Sequence, residues 1–519
     1  MKQLYTLLLA ALALSFAACA DDEGNYDYNA VDEIKIDGLP ESVSKNLGEV
    51  LEIDPQIESK YTDLKYEWYM WDRAKEDLPD NVGRIEGYEP ELIGTEKKLA
   101  YEVKCPVALY TIMLKVYSQS TGYFSMASMR FDAKSEFTRG FYILKETEDG
   151  NTELDLSTAE GKPTQSNIFQ ITGRQPMQGK PLFLSHVASH SFINSARERE
   201  GAHTLCVTTE AGDVGFYETK SMQKVHDRSE LLGSELPAGQ KAYAAFTALY
   251  DNMLLTSQGV YMNYFYAMMQ STGAFYMLGK GTNGGSVFVF SDTFGRNVFF
   301  WDEQHHTVAN MAGDGFSPHY GEYDNAGFST ADMKCLACGI VQTLDKGYFI
   351  LEDSKGKRFL HEVSTEVDRS KPGFPVTKHL ELDPNSRLAQ ATEYATNERT
   401  ASYLYYVYQN KVYLYNLTTY QEEEAPLNLP DLPADENITY LSYQWQDYQT
   451  KDGPRDDNFT YLIVGTQQGE NYHLYMYELE IGRPTKMVRK IDGKGKLKMC
   501  LYMTQAPYTF GRCKYSITN

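Results

Sequence analysis

Long apolar runs are scarce in this sequence. Only Leu4 to Phe16 stands out, and no run approaches the roughly 20 residues that a membrane-spanning helix needs. Clusters of Lys and Arg are missing as well, and the formal net charge is −22, so nucleic acid and anionic lipid surfaces are poor partners. Familiar catalytic signatures are equally lacking: there is no HExxH helix, no GxSxG elbow and no phosphate-cradling loop. Cysteine is sparse, and the six that follow Cys19 do not have the spacing of a disulfide scaffold. A membrane helix bundle, a nucleic-acid binder, a zinc protease of the HExxH type and an α/β-hydrolase are thereby disfavoured together.

What is present begins with a leader. Lys2 supplies a positive start, the apolar run follows, and the small residues Ala17 and Ala18 precede Cys19. That order predicts an export signal over residues 1–18. A small-small-Cys ending also suits lipoprotein processing, in which the thiol takes a diacylglyceryl group and Cys19 becomes the mature N-terminus. Several acyl chains together would anchor the protein firmly, and attachment to the membrane would be through lipid alone. Residues 19–30 read as an acidic tether that opens with Asp21, Asp22 and Glu23.

Tyrosine, with 40 residues, is the dominant aromatic and sits mostly in alternating runs such as "YLYYVYQNKVYLYN". That alternation predicts β-sheet throughout. Over residues 31–134, "LKYEWYMW" places Trp68 in a central strand, and "ALYTIMLKVYS" puts Tyr110, Ile112, Leu114 and Val116 on one face. The order of strands is that of a small immunoglobulin-like sandwich without its central cysteines. From residue 137 to 519 one pattern recurs seven times: an apolar run, a short turn with Gly or Asn, and a second apolar run. The hairpins begin near Phe141, His203, Asn252, Val287, Tyr348, Ser402 and Thr460. A hairpin within a unit of about 50 residues leaves room for two further strands, which predicts the four-stranded blades of a β-propeller, most simply seven. The C-terminal "KMCLYMTQAPYTFGRCKYSI" is a candidate for closing the ring. The expected fold class is therefore all-β, an Ig/PKD-like sandwich followed by a β-propeller.

The run "CADDEGNYDYN" from Cys19, followed by "VDEIKIDGLP", resembles the start of PKD-like lipoproteins of Bacteroidetes-type bacteria. The resemblance implies an outer-membrane lipoprotein encoded beside SusC/SusD-like importers and sister lipoproteins, which would be its partners. The acids Asp21, Asp22 and Glu23 resemble the surface-export signal of such proteins, implying a location on the cell exterior. The family brings no catalytic residues to carry over.

Chemistry-bearing groupings are few. "CLAC", Cys335 to Cys338, reads as structural or disulfide-bonded cysteine, because no second ligand pair has zinc spacing. "HVASH", His186 to His190, and "HH", His305 and His306, read as solvated loop groups, and "DGPRDDN" as a polar loop. No metal and no cofactor are expected. The loop "GDGFSPHYGEYDNAGF" is too rich in glycine for a blade strand and carries Phe316, His319, Tyr320, Tyr323 and Phe328. With Trp445 in "YQWQDYQ", these aromatics are candidate contacts for a glycan or peptide ligand, or for a partner protein. The favoured reading is a non-enzymatic accessory of an importer. The alternatives are a surface glycoside hydrolase or lyase on a propeller scaffold, and a purely structural interaction platform.

Overall fold

A computed structural model describes residues 34–73, 90–158, 162–193, 199–248, 251–264, 272–278, 284–292, 297–312, 320–322, 329–368, 376–447, 449–450, 453–454 and 458–504. The chain divides into two compact units, Met1–Lys134 and Ser135–Asn519.

Among the described residues the first unit is a sandwich of nine strands: β1 (Lys35–Asp37), β2 (Ser42–Asn46), β3 (Val50–Ile53), β4 (Gln56–Glu58), β5 (Leu64–Asp72), β6 (Glu91–Gly94), β7 (Leu99–Glu102), β8 (Leu109–Ser118) and β9 (Phe124–Lys134). Five of them form one sheet in the order β2-β9-β8-β5-β6, and β1-β4 and β3-β7 make two short ladders. In β8 every second residue from Tyr110 to Val116 is buried, which is the period-2 pattern of a strand with one face in a core. These side chains pack with Leu51 and Ile53 of β3, Leu99 of β7 and Trp68 of β5. Trp68 is fully buried, and its indole N–H donates to the Glu96 carbonyl at 2.9 Å. The polar tip is thus satisfied while the ring fills the core, as a buried tryptophan requires.

The second unit is a seven-bladed β-propeller. Blades 2 to 7 are four-stranded antiparallel sheets whose innermost strands are Pro181–Ile193, Ala242–Thr247, Val289–Ser291, Lys334–Val341, Glu393–Thr396 and Asn437–Gln446. Blade 1 joins Arg139–Glu146 and Thr152–Ser157 to the C-terminal strand Lys496–Thr504, which takes the innermost place. The candidate closing segment therefore supplies the closing strand, and residues 505–519 lie outside the described residues. Blades pack face to face, so their middle strands are covered on both sides. "NVFFWD", the second strand of blade 4, is buried at every position. Close approach between blades demands glycine in places: a Cβ on Gly339 would stand 2.1 Å from Thr396 Oγ1, and one on Gly347 would stand 2.2 Å from the Phe290 ring.

The fourth hairpin is out of phase with the others. Six of the seven are second and third strands of their blades, but "VFVFSDTFGRNVFFWDE" spans the first and second strands of blade 4, Val289–Ser291 and Asn297–Asp302. The third strand of that blade is Thr307–Ala312, so the short step from Asn252 to Val287 and the long step from Val287 to Tyr348 come from this shift.

A buried polar knot binds blade 1 to blade 7. Asp155 accepts from Lys145 Nζ at 2.7 Å, from the Asn167 backbone N–H at 2.8 Å and from the Tyr472 hydroxyl at 2.6 Å. Both members of the ion pair are nearly inaccessible, 3% and 0% exposed. Charges so far from water persist only when paired and fully hydrogen-bonded.

Candidate ligand-binding face of the ring

The innermost strands all run the same way along the ring axis. Ala245 N–H donates to Ser185 Oγ at 3.0 Å and Ala188 N–H to Thr247 Oγ1 at 2.8 Å, which fixes the parallel register of blades 2 and 3. Tyr440 O–H to the Cys500 carbonyl at 3.1 Å and Tyr502 N–H to Gln444 Oε1 at 3.1 Å do the same for blades 7 and 1. The C-terminal ends of these strands therefore gather on one face of the ring.

Trp445 stands on that face, near the end of the innermost strand of blade 7, and is half-buried. Its indole N–H donates to Glu398 Oε2 at 3.2 Å. The Arg399 guanidinium lies 4.2 Å from the ring centroid and pairs with Asp447. Glu398 and Arg399 come from the turn after the innermost strand of blade 6, and that turn is rigidly built. Asn397 Oδ1 accepts from the backbone N–H groups of Thr400 and Ala401 at 2.8 and 3.1 Å, and Asn397 Nδ2 donates to the Tyr405 hydroxyl at 2.8 Å. Gln342 N–H, at the end of the innermost strand of blade 5, donates to the Glu398 carbonyl at 2.8 Å. The result is an indole edge flanked by two carboxylates and a stacked cation, a combination that offers apolar area and directed hydrogen bonding together. Beneath it, burial raises the Tyr443 hydroxyl well above its ordinary pKa. Burial does the same to the Cys338 thiol, with the Glu398 charge adding to the effect.

The other aromatic candidates are not all brought to Trp445. Phe316, His319, Tyr323 and Phe328 lie outside the described residues. Tyr320 begins the strand Tyr320–Glu322, which pairs with Thr307–Ala312 as the outermost strand of blade 4. Part of the glycine-rich stretch is thus a blade strand after all, because Met311 and its neighbours leave an edge open for pairing. Cys19, Asp21, Asp22 and Glu23 also lie outside the described residues.

One further reading changes, and that of Cys335 and Cys338 narrows to its structural alternative. His186 and His190 are not solvated loop groups but lie in the innermost strand of blade 2, buried. His186 Nε2 and His203 Nδ1 are 3.0 Å apart with their rings stacked, and His190 bonds to Thr204 Oγ1 and the Gly273 carbonyl. Burial lowers the pKa of His190 to about 3 and of His203 to about 4, so both are neutral at pH 7. At the other histidine pair, His305 is 43% exposed and bonds to Asp302 at 2.8 Å, whereas His306 bonds to the Met333 carbonyl at 2.7 Å. Cys335 and Cys338 form no disulfide; both are free and buried in the innermost strand of blade 5, where burial pushes their thiols up. Among the described residues no group of three or more His, Cys, Asp or Glu is placed to hold a metal ion, and no helix is long and apolar enough to cross a membrane.

Glu398 and Arg399 had no signal in the sequence, and neither had one further acid. Glu393, half-buried on the innermost strand of blade 6, is pushed up to about 7 by burial, against the opposing charge of Lys498 on the closing strand. The two are remote in sequence, and only ring closure relates them.

A model of the PKD-like family matches residues 19–181, a span that begins at Cys19 and ends at the first residue of blade 2. No curated protein matches the sequence. Among solved structures the chain is similar to a quinonprotein alcohol dehydrogenase-like protein from Bacteroides thetaiotaomicron, at 14% identity and a TM-score of 0.43, covering 91% of this chain and 99% of that one. A DUF4784 family protein from Bacteroides caccae is similar at 9% identity and a TM-score of 0.31, covering 78% and 96%. The β-propeller domain of Myceliophteria thermophila Cps50 (Swd1) is similar at 11% identity and a TM-score of 0.32, covering 57% and 84%.

Proposed function

We propose that the protein is a surface-exposed outer-membrane lipoprotein, lipidated at Cys19, that serves without catalysis as an accessory to a SusC/SusD-like nutrient importer. The observation that carries the reading is the start of the PKD-like family match at Cys19, the residue that follows the export leader. In this reading the tether holds sandwich and ring outside the cell. The Trp445 face captures a glycan or peptide, or docks on the importer, and anchoring raises the local concentration of cargo beside the pore. Arg399 and Asp447 would orient the cargo while Trp445, its indole held by the buried Glu398, supplies apolar contact.

Cys19→Ala is expected to move the protein from the membrane to the soluble fraction, and added protease is expected to degrade the wild-type protein on intact cells. A membrane-bound variant, or full protection on whole cells, would sink the reading. Co-purification in mild detergent should recover an importer and its lid lipoprotein.

Glu393 favours a second reading, a glycoside hydrolase or lyase on the propeller. A carboxyl that titrates near neutrality suits a general acid. Turnover of a glycan that Glu393→Gln abolishes, with the fold intact by circular dichroism, would support that reading over the first.

A further inference from the structure

The five-stranded sheet of the sandwich has a second face, opposite its Trp68 core. Register brings three cross-strand rows onto it: Tyr69–Met113–Ser128, Glu67–Lys115–Met126 and Lys65–Tyr117–Phe124. Tyr69, Met113, Lys115, Tyr117, Phe124 and Met126 help to line an open groove of about 490 Å³. Phe124 and Met126 are 55% and 52% exposed, which is unusual for large apolar side chains that stand together on one sheet.

Three of the lining residues, Tyr69, Lys115 and Tyr117, are tied together by Glu67 beside the groove. Glu67 accepts from the Tyr69 hydroxyl at 3.0 Å, Lys115 Nζ at 3.1 Å and the Tyr117 hydroxyl at 3.4 Å. Lys115 Nζ also sits 4.9 Å from the centroid of the Tyr117 ring. Burial raises the Glu67 pKa, but the bonds from Lys115, Tyr69 and Tyr117 outweigh it and hold the carboxylate below its ordinary range. Charge and donors are thus fixed in place before any ligand arrives.

Three features define what fits. The groove lies over β8, which is paired on both sides from Tyr110 to Tyr117, so its backbone groups are used in the ladders. A peptide added by strand pairing needs an edge, and this face offers only side chains. The Glu67–Lys115 pair carries no net charge, and a chain of net charge −22 repels polyanions. Exposed apolar and aromatic groups around a paired donor and acceptor match a ring with an apolar face and a rim of hydroxyls. The geometry points to a binding site for neutral oligosaccharide on the outward face of the sandwich, with sugar rings seated against Tyr117 and Phe124 and their hydroxyls bonded to Glu67 and Lys115. The site is independent of lipidation at Cys19 and of the Trp445 face.

The test is affinity electrophoresis of the full chain in mild detergent. The gels contain soluble neutral polysaccharides (galactomannan, xyloglucan, starch and laminarin) or the acidic polygalacturonate. Retardation by at least one neutral polymer and none by polygalacturonate is expected. Phe124→Ala and Tyr117→Ala should each weaken retention at least tenfold, Glu67→Gln should weaken it further than Tyr69→Phe, and Trp445→Ala should leave it unchanged. Phe124 is exposed, so its variant keeps the fold, to be checked by circular dichroism. No retardation by any neutral polymer, retention by polygalacturonate alone, or retention that survives Phe124→Ala and Tyr117→Ala together overturns the assignment. Retention lost in Trp445→Ala alone would move the sugar site to the ring.

Discussion

The same chemical parts, one acid, one lysine and tyrosine hydroxyls, form a knot in each unit, and the two knots differ chiefly in their access to water. Around Asp155 in the propeller the ion pair is 3% and 0% exposed; around Glu67 in the sandwich it is 34% and 24% exposed. The buried knot is committed to structure, since losing any partner strands a charge away from water. The surface knot gains little stability from its Coulomb energy, because solvent screens it. What it retains is the capacity to exchange water for a ligand.

Breaking this contrast starts with ring closure. A chain ending at Gly495 loses the innermost strand of blade 1 with the buried Met499, Cys500 and Met503, and is expected to leave the propeller unfolded. Limited proteolysis should then degrade the region after residue 135 while a fragment containing the sandwich survives; a protease-resistant propeller would contradict the closure described here.

Acid should separate the units next. All ten histidines follow residue 134, and burial holds His190 and His361 at about 3 and His203 at about 4. Because these folded-state values lie below the unfolded value of about 6.5, the unfolded chain binds more protons. Propeller stability should therefore fall as pH drops below about 6.5 and keep falling towards pH 3, on the order of 2–3 kcal/mol per histidine at pH 4. The sandwich has no histidine to lose in this window, so calorimetry at pH 5 should show the propeller transition shifted down further than that of the sandwich.

Asp155→Asn should cost about 3–5 kcal/mol in chemical denaturation, since Lys145 stays buried without its counter-charge. Glu67→Gln should cost less than about 1 kcal/mol. If the two substitutions cost the same, burial does not separate the knots.

Much of this architecture was legible in the sequence because strands covered on both faces read as apolar runs, and seven such hairpins are hard to miss. The fourth was placed one strand early because its first strand, "VFVFS", is more apolar than the true third strand, "TVANMA". Polar residues inside the ring misled in another way. The histidines of "HVASH" resemble a loop in a one-dimensional reading, and only the neighbouring blade supplies the partners that let them be buried. Of the site on the ring, Trp445 was visible as an aromatic flanked by amides. Glu398 and Arg399 were not, because their contacts cross from one blade to the next. The Glu67 groove could be found only once the register placed Lys115 opposite Glu67.

Blade 1 is assembled from both ends of the propeller, and Glu146 meets Lys496 across 350 residues of chain. Synthesis from the N-terminus leaves Arg139–Glu146 with a bare edge until Lys496–Thr504 has been delivered. An unfinished chain therefore advertises its own incompleteness, as an unpaired strand that proteases and chaperones can grip. Arrival of Lys496–Thr504 hides that handle in a single step, so the strand that closes the ring also removes its exposed edge.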